Sequence, residues 1–138
     1  MGGGGKPEAS LRAFRDELPN ASIRGADIDA DILFTEERIE TTRVDQMNRD
    51  TFSSLEDKKY HLIIDDGLHS VAANLNTLLW AMKHVEDGGY IVIEDIFQMT
   101  TRWAVVNFIL GVDRRWKIHA ISCRLGGLFV LQKKSVQA

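Results

Sequence analysis

The strongest constraint on the fold is a pair of short apolar runs that each end in acidic residues. Residues 61 to 65 (HLIID) and 90 to 94 (YIVIE) are nearly continuous apolar stretches, as expected of parallel strands covered on both faces. The stretch between them, residues 71 to 84, has apolar residues at helical spacing, namely Leu75, Leu78, Leu79 and Met82. The EDGG that follows at 86 to 89 supplies a helix stop. The alternation of strand and helix predicts an α/β protein with a mostly parallel sheet.

The same alternation extends in both directions along the chain. Two more strands are predicted at residues 22 to 27 and 39 to 44, and two more helices at residues 9 to 18 and 101 to 110. The end of the chain differs, because WKIHAISCR and GGLFVLQKK meet at residues 125 to 127 and predict an antiparallel hairpin. No internal repeat or linker divides the sequence, so residues 1 to 138 are predicted to form a single domain.

Composition narrows the class of protein. With 138 residues, of which 44% are hydrophobic and 27% charged, the chain fits one soluble globular domain. A net charge of −3 leaves no basic footprint, so nucleic acid is not expected as a partner. No apolar run reaches the roughly 18 to 20 residues of a membrane span, and no signal peptide opens the chain, so no membrane is expected. A single cysteine, Cys123, cannot form an internal disulfide, which favours a cytoplasmic location.

Acidic residues end each of the four predicted parallel strands. They are Asp27, Asp45, the pair Asp65 and Asp66, and the pair Glu94 and Asp95. A parallel α/β sheet places its ligand site at the carboxyl ends of its strands, so one fold would gather these side chains along one edge. Such an acidic edge suits ribose hydroxyls, adenine amino groups and a divalent cation, and it does not suit a bare phosphate.

Each of these residues also has a purely structural explanation. Asp27 alone is consistent with the start of a turn, and a lone histidine after a strand, such as His69, is more often a capping or solvated residue than a base. Asp66 or Ser70 would favour the N-terminus of the helix that follows. Two acidic pairs at neighbouring strand ends are harder to explain in this way, because crowded carboxylates repel unless a cation or a proton intervenes.

Four stretches, taken in their order and spacing, resemble class I S-adenosylmethionine-dependent methyltransferases. The resemblance is to the branch with the macrocin-type sugar O-methyltransferases and the cephalosporin hydroxylase-like proteins. The stretches are SLRAFRDELPNASIRGADID (10 to 29), VDQ (44 to 46), IIDDGLH (63 to 69) and GGYIVIEDI (88 to 96). The resemblance runs from about residue 3 to residue 134 and implies a Rossmann-like methyltransferase fold whose last strand is antiparallel, in agreement with the predicted hairpin.

The resemblance implies S-adenosylmethionine as the cofactor. Asp27 matches the acidic residue that accepts hydrogen bonds from the cofactor ribose, as a carboxylate can from two hydroxyls. Asp45 and Gln46 match the motif that faces the adenine. Asp65, at the end of the third predicted strand, is assigned to the cofactor as well.

The resemblance also implies a metal ion. In macrocin-type enzymes the positions matched by Asp66, Glu94 and Asp95 bind Mg²⁺, and three carboxylates suit this hard cation. The ion would hold a hydroxyl or diol of the substrate and lower its pKa, while His69 takes the proton as general base. The implied reaction is methylation of a hydroxyl group on a small molecule or a sugar.

The start of the chain departs from the family pattern. The family begins with a central strand and a glycine-rich turn, whereas MGGGGKPEAS resembles only the late part of that loop and no apolar strand precedes it. The first central strand is therefore predicted to be missing, and the glycines at 2 to 5 are either part of a cofactor loop or a frayed terminus. The strands beside the gap could pair directly, a partner chain could fill it, or upstream residues could be required. A homodimer is expected on this ground.

Three functions follow from these observations. The first is a Mg²⁺-assisted O-methyltransferase, which the retained acidic residues favour. The second is a remnant that keeps the fold without the cofactor site and acts as a binding or oligomerisation module, which the missing strand favours. A nicotinamide-dependent dehydrogenase is the weakest, because no strand leads into a GxGxxG turn and no catalytic Tyr/Lys spacing is present.

Overall fold

The computed structural model of the chain describes residues 9–55, 57–97, 100–124 and 126–135. It divides into two units, Met1–Leu55 and Glu56–Ala138, and each is described by itself. The glycines at 2 to 5, the hairpin residue Leu125 and the side chain of Cys123 lie outside the described residues. The single domain predicted from the sequence stays a prediction.

The first unit is a helix beside a small sheet. Helix α1 (Ala9–Glu17) precedes strands β1 (Ile23–Asp27), β2 (Thr35–Glu36) and β3 (Ile39–Arg43), and 3₁₀ turns lie at Ala30–Ile32 and Arg49–Ser54. The strand order is β1-β3-β2, with β1 parallel and β2 antiparallel to β3, so both strands predicted here are confirmed. A Cβ atom at Gly25 would lie 2.5 Å from Leu11 Cδ1. The glycine therefore allows α1 to pack closely against β1.

The second unit contains the βαβ arrangement and the hairpin. Its elements are β4 (Tyr60–Asp65), α2 (Val71–His84), β5 (Val85–Ile93), α3 (Ala104–Gly111), β6 (Trp116–Cys123) and β7 (Gly126–Lys133). The strand order is β4-β5-β7-β6, with β4 and β5 parallel and both β5 and β6 antiparallel to β7. The bounds predicted for α2, the parallel pair and the hairpin are confirmed.

Both sheets are mixed, which corrects the expectation of a mostly parallel sheet. Strand β7 returns from the hairpin into the position beside β5, so two of the three pairings described in this sheet are antiparallel. Helix α2 ends at His84, as the EDGG stretch predicted, and the stretch itself lies inside β5. A Cβ atom at Gly89 would come within 2.9 Å of the His61 carbonyl oxygen, so this glycine allows the close approach of β4.

The core of the second unit lies against its sheet. Helix α2 buries Ala73, Asn74, Thr77, Leu78 and Ala81. Trp103, just before α3, is fully buried and meets Phe129 of β7 edge to face, with ring centroids 5.5 Å apart. The sheet and two helices thus hold the carboxyl ends of β4 and β5 in place. Among the described residues, no helix is long and apolar enough to cross a membrane.

Candidate functional site

The loop after β4 is anchored by a buried carboxylate. Asp65 ends β4 and is 4% exposed. Its Oδ2 accepts a hydrogen bond of 3.1 Å from Nδ2 of the equally buried Asn74, and its Oδ1 accepts one of 3.2 Å from the Gly67 N–H. These bonds tether the loop to the first turns of α2. The role in cofactor binding assigned to Asp65 stays a prediction.

The N-terminus of α2 shows which residue of the acidic loop caps the helix. The Ser70 side chain accepts a hydrogen bond of 3.2 Å from the Ala73 N–H and is the N-cap of the helix. Ser70 thus performs the capping role that the sequence left open between it and Asp66. Asp66 and His69 lie exposed in the loop between β4 and this cap.

The backbone after β5 continues the strand pairing and changes conformation at Asp95. The Glu94 N–H donates to the Asp65 carbonyl at 2.9 Å, which extends the pairing of the two strands by one bond. Asp95 then adopts a left-handed backbone conformation, with φ of 52°. Ile96 is buried, and its N–H donates to the Gly127 carbonyl at 2.9 Å. The Asp95 carboxylate is thus exposed between two neighbours whose backbone N–H groups are hydrogen-bonded.

The start of β7 lies directly against Asp95. A Cβ atom at Gly126 would lie 3.2 Å from Asp95 Oδ1 and 3.4 Å from Asp95 Cα. Gly126 also has φ of +158°, at the edge of the region that side chains rarely adopt. A glycine at this position therefore gives Asp95 the space that it occupies.

Two carboxylates and an imidazole converge at the ends of β4 and β5. Asp66, His69 and Asp95, here called the acid–histidine cluster, each offer a ligand atom, and these atoms lie within 4.8 Å of one another. His69 Nε2 is 3.8 Å from Asp95 Oδ2. Ligand atoms around one Mg²⁺ lie about 3 to 4 Å apart. Small rotations of the exposed Asp66 and Asp95 side chains would thus bring their oxygens to a shared cation, with His69 beside them.

Glu94 stands beside the cluster and responds to its charges. Burial raises the pKa of the Glu94 carboxyl above its ordinary value, the charges of Asp66 and Asp95 raise it further, and His69 acts in the opposite direction. Glu94 is not among the three groups that converge. Of the predicted metal ligands, the structure thus joins Asp66 and Asp95 to each other and to His69.

The acidic residues of the first unit follow its parallel strands. Asp27 ends β1, and its carbonyl accepts from the Val44 N–H at 2.9 Å, so Asp27 and Asp45 lie at the same edge of this sheet. Asp27 Oδ1 accepts from the Asp29 N–H at 2.8 Å, and Asp45 Oδ1 accepts from the Met47 N–H at 2.9 Å. Both carboxylates therefore stabilise local turns. Gln46 is half-buried beside Asp45.

Sequence reasoning missed two residues that shape the site. Asn74 lies on the buried face of α2, so a polar residue within the apolar stripe of that helix was the available signal. Gly126 had no comparable signal, because its role depends on Asp95, which is distant in sequence and close in the fold.

Comparison with known proteins identifies the fold. No family model and no curated protein matches the sequence. Among solved structures, the MycE methyltransferase of the mycinamycin biosynthetic pathway, in complex with Mg and SAH, has a TM-score of 0.74 at 23% identity, over 97% of this chain and 43% of that one. A ribosomal RNA methyltransferase from Plasmodium falciparum has a TM-score of 0.66 at 13% identity, over 96% and 83%. An O-methyltransferase family protein from Burkholderia thailandensis has a TM-score of 0.61 at 14% identity, over 92% of this chain and 48% of that one.

These likenesses show a methyltransferase-like α/β fold, as the sequence resemblance implied. The chain spans 43% of the MycE chain. Identities below 25% carry the fold alone. The macrocin-type branch and the missing first strand stay predictions.

Proposed function

We propose that the chain is an S-adenosylmethionine-dependent O-methyltransferase that uses Mg²⁺ to activate a hydroxyl of a small molecule or a sugar. The observation that carries this proposal is the acid–histidine cluster, whose three groups converge at the ends of two parallel strands in a methyltransferase-like fold. The MycE structure was determined with Mg and SAH, which supports the same pair of ligands here.

The residues of the cluster fit a hard cation. Asp66 and Asp95 supply the oxygen ligands that Mg²⁺ prefers, and Glu94 stands beside them as a further carboxylate. Bound Mg²⁺ would lower the pKa of an acceptor hydroxyl. A cation there would also offset the charges of Asp66 and Asp95, which add to the effect of burial in raising the pKa of Glu94.

His69 is the proposed general base. Its Nε2 lies 3.8 Å from Asp95 Oδ2, so the imidazole stands beside the carboxylates, where an acceptor hydroxyl would lose its proton. S-adenosylmethionine supplies a methyl group on a positive sulfonium, which needs no acid catalysis. The contribution of the chain to the transfer is therefore largely positioning.

The cofactor contacts are proposed on the predicted residues. Asp27 would accept hydrogen bonds from the ribose hydroxyls, and Asp45 with Gln46 would face the adenine. Asp65 would act on the cofactor through the loop that it anchors by its bonds to Asn74 and Gly67. The net charge of −3 favours a small-molecule acceptor over RNA, whose phosphates require basic partners.

Calorimetric titration tests the proposal. We expect the chain to bind Mg²⁺ and S-adenosylhomocysteine, and we expect Asp66→Ala to weaken Mg²⁺ binding at least tenfold while the fold is retained. Asp57→Ala, at a fully exposed aspartate of the same unit, is the matched control and should leave Mg²⁺ affinity unchanged. Unchanged affinity in Asp66→Ala would remove the metal assignment. A folded chain that binds neither ligand would support the non-catalytic binding module.

A further inference from the structure

The His69 imidazole lies on an exposed loop, although the proposed reaction needs it in one orientation. Its side chain is 32% exposed, and exposed side chains ordinarily change rotamer on fast timescales. A general base must keep its nitrogen within hydrogen-bonding distance of the proton that it removes. Rotation of the ring therefore has to be limited for His69 to act as a base.

Two residues just after β5 contact the His69 side chain. His69 Nε2 lies 3.8 Å from Asp95 Oδ2. The Phe97 ring meets the imidazole edge to face, with ring centroids 6.2 Å apart and an interplanar angle of 84°, which is a preferred arrangement of aromatic pairs. The carboxylate contacts one atom of the imidazole, so by itself it leaves the ring free to turn about that atom. The contact with Phe97 removes this freedom.

Phe97 follows a residue that is anchored in the core of the second unit. Ile96 is 6% exposed and belongs to the core cluster, and its N–H donates to the Gly127 carbonyl at 2.9 Å. Because the backbone is held at this point, the Phe97 ring projects from a tethered position beside the cluster. Phe97 can thus restrain the side chain of a neighbouring loop.

The packing of the core does not explain the Phe97 ring. Phe97 is 66% exposed and lies outside the core cluster to which its neighbour Ile96 belongs. A ring left largely in water forgoes most of the stabilisation that its burial would give. The aromatic contact that the structure gives this ring is with His69. Replacing Phe97 is therefore expected to affect His69 more than the stability of the fold.

We propose that Phe97 is a positioning residue for His69. Its ring restrains the imidazole so that Nε2 stays on the side of Asp95, next to the groups that would hold the cation. Phe97 touches no reacting atom in this scheme and acts through His69. An aromatic pair of this geometry favours one orientation by roughly two- to tenfold. This inference rests on the proposed function, in which His69 is the general base, and adds a residue to it.

Nuclear magnetic resonance of the isotopically labelled chain measures the orientation of His69. In the unaltered chain, we expect nuclear Overhauser contacts between the ring protons of His69 and Phe97, and coupling constants of one dominant His69 rotamer. In Phe97→Ala, the couplings should move to the averaged values of a freely rotating side chain. Phe97→Tyr keeps the ring and should restore the dominant rotamer. Phe97→Leu keeps an apolar side chain without a ring and should not restore it.

A control variant and a Mg²⁺ titration of the same samples make the result decisive. Phe108→Ala removes a phenylalanine that is 75% exposed on α3 in the same unit and should leave the His69 couplings unchanged. Phe97→Ala should keep its Mg²⁺ affinity, because the carboxylates would hold the ion. Normal Mg²⁺ binding overturns the role of Phe97 alone if the His69 couplings are averaged in the unaltered chain, unchanged in Phe97→Ala, or restored equally by leucine and tyrosine. Absent Mg²⁺ binding in the unaltered chain overturns the proposed function and this inference with it.

Discussion

At the scale of single residues, the site places three carboxylates of like charge near one another, those of Asp66, Glu94 and Asp95. Glu94 is half-buried and feels the negative charges of Asp66 and Asp95, so its pKa is raised above the ordinary 4.5 of a glutamate. The folded chain therefore holds the Glu94 proton more tightly than the unfolded chain does. Without a cation, the free energy of unfolding falls as the pH rises from that ordinary value through the raised pKa.

Replacing Glu94 with the neutral glutamine should remove this pH-dependent loss of stability. In the presence of a chelator, we expect Glu94→Gln to raise the melting temperature at neutral pH, and we expect the gain to disappear below the ordinary pKa, where the unaltered Glu94 is also neutral. Thermal unfolding at a series of pH values measures the difference. A melting temperature that falls at neutral pH would show that the Glu94 charge stabilises the fold.

At the scale of elements, the hairpin of β6 and β7 supports a site that lies on other strands. Gly127 accepts the hydrogen bond from Ile96, and Gly126 leaves space for Asp95. Asp95 and Ile96, just after β5, are thus in contact with residues about thirty positions later in the chain. The elements that bear the cluster and the element that positions it are separate in sequence, as in many sites whose supporting contacts tune the ligands.

A methyl group at Gly126 should disturb the cluster without removing a ligand. Gly126→Ala would place a Cβ 3.2 Å from Asp95 Oδ1, so we expect Mg²⁺ affinity to fall roughly tenfold, as for other changes behind metal ligands. Gly111→Ala is the matched control, because a Cβ there meets nothing within 4 Å. Calorimetric titration compares the variants. Equal Mg²⁺ affinity in both would show that the hairpin does not position Asp95.

At the scale of the whole molecule, α3 exposes a largely apolar surface. This eight-residue helix has no charged residue, and its exposed apolar side chains, with the residue that follows the helix, are Val105 (61%), Phe108 (75%), Ile109 (59%) and Val112 (71%). An exposed helix face with this many apolar side chains is normally covered. We propose that a second copy of the chain covers this face, in keeping with the homodimer expected from the sequence.

A two-fold axis would bring the two α3 helices together in antiparallel orientation. The helix is about 12 Å long, so the interface would be small and the dimer weak. We expect the sedimentation coefficient to rise with concentration, and we expect Phe108→Glu to abolish this rise. Leu79→Glu, on the exposed side of α2, should not abolish it, and a chain that stays monomeric at every concentration would contradict the proposal.

The sequence alone determined the parts of the protein that depend on neighbours along the chain. The bounds of α2, the strands β4 and β5, the terminal hairpin and the acidic residues at strand ends follow from apolar periodicity and from turn residues, which act over a few positions. The methyltransferase-like fold also followed from short motifs in order. These features are local, so they can be read before any contact is known.

Only the tertiary structure decided how distant residues combine. It placed β7 between β5 and β6 and made the sheet mixed, and it joined Asp66 and Asp95 to His69 while Glu94 stands to one side. It also gave Asp65 the buried partner Asn74. Each of these outcomes depends on packing between residues that are far apart in the sequence. Such contacts produce no periodic pattern in the sequence, so no local pattern could have indicated them.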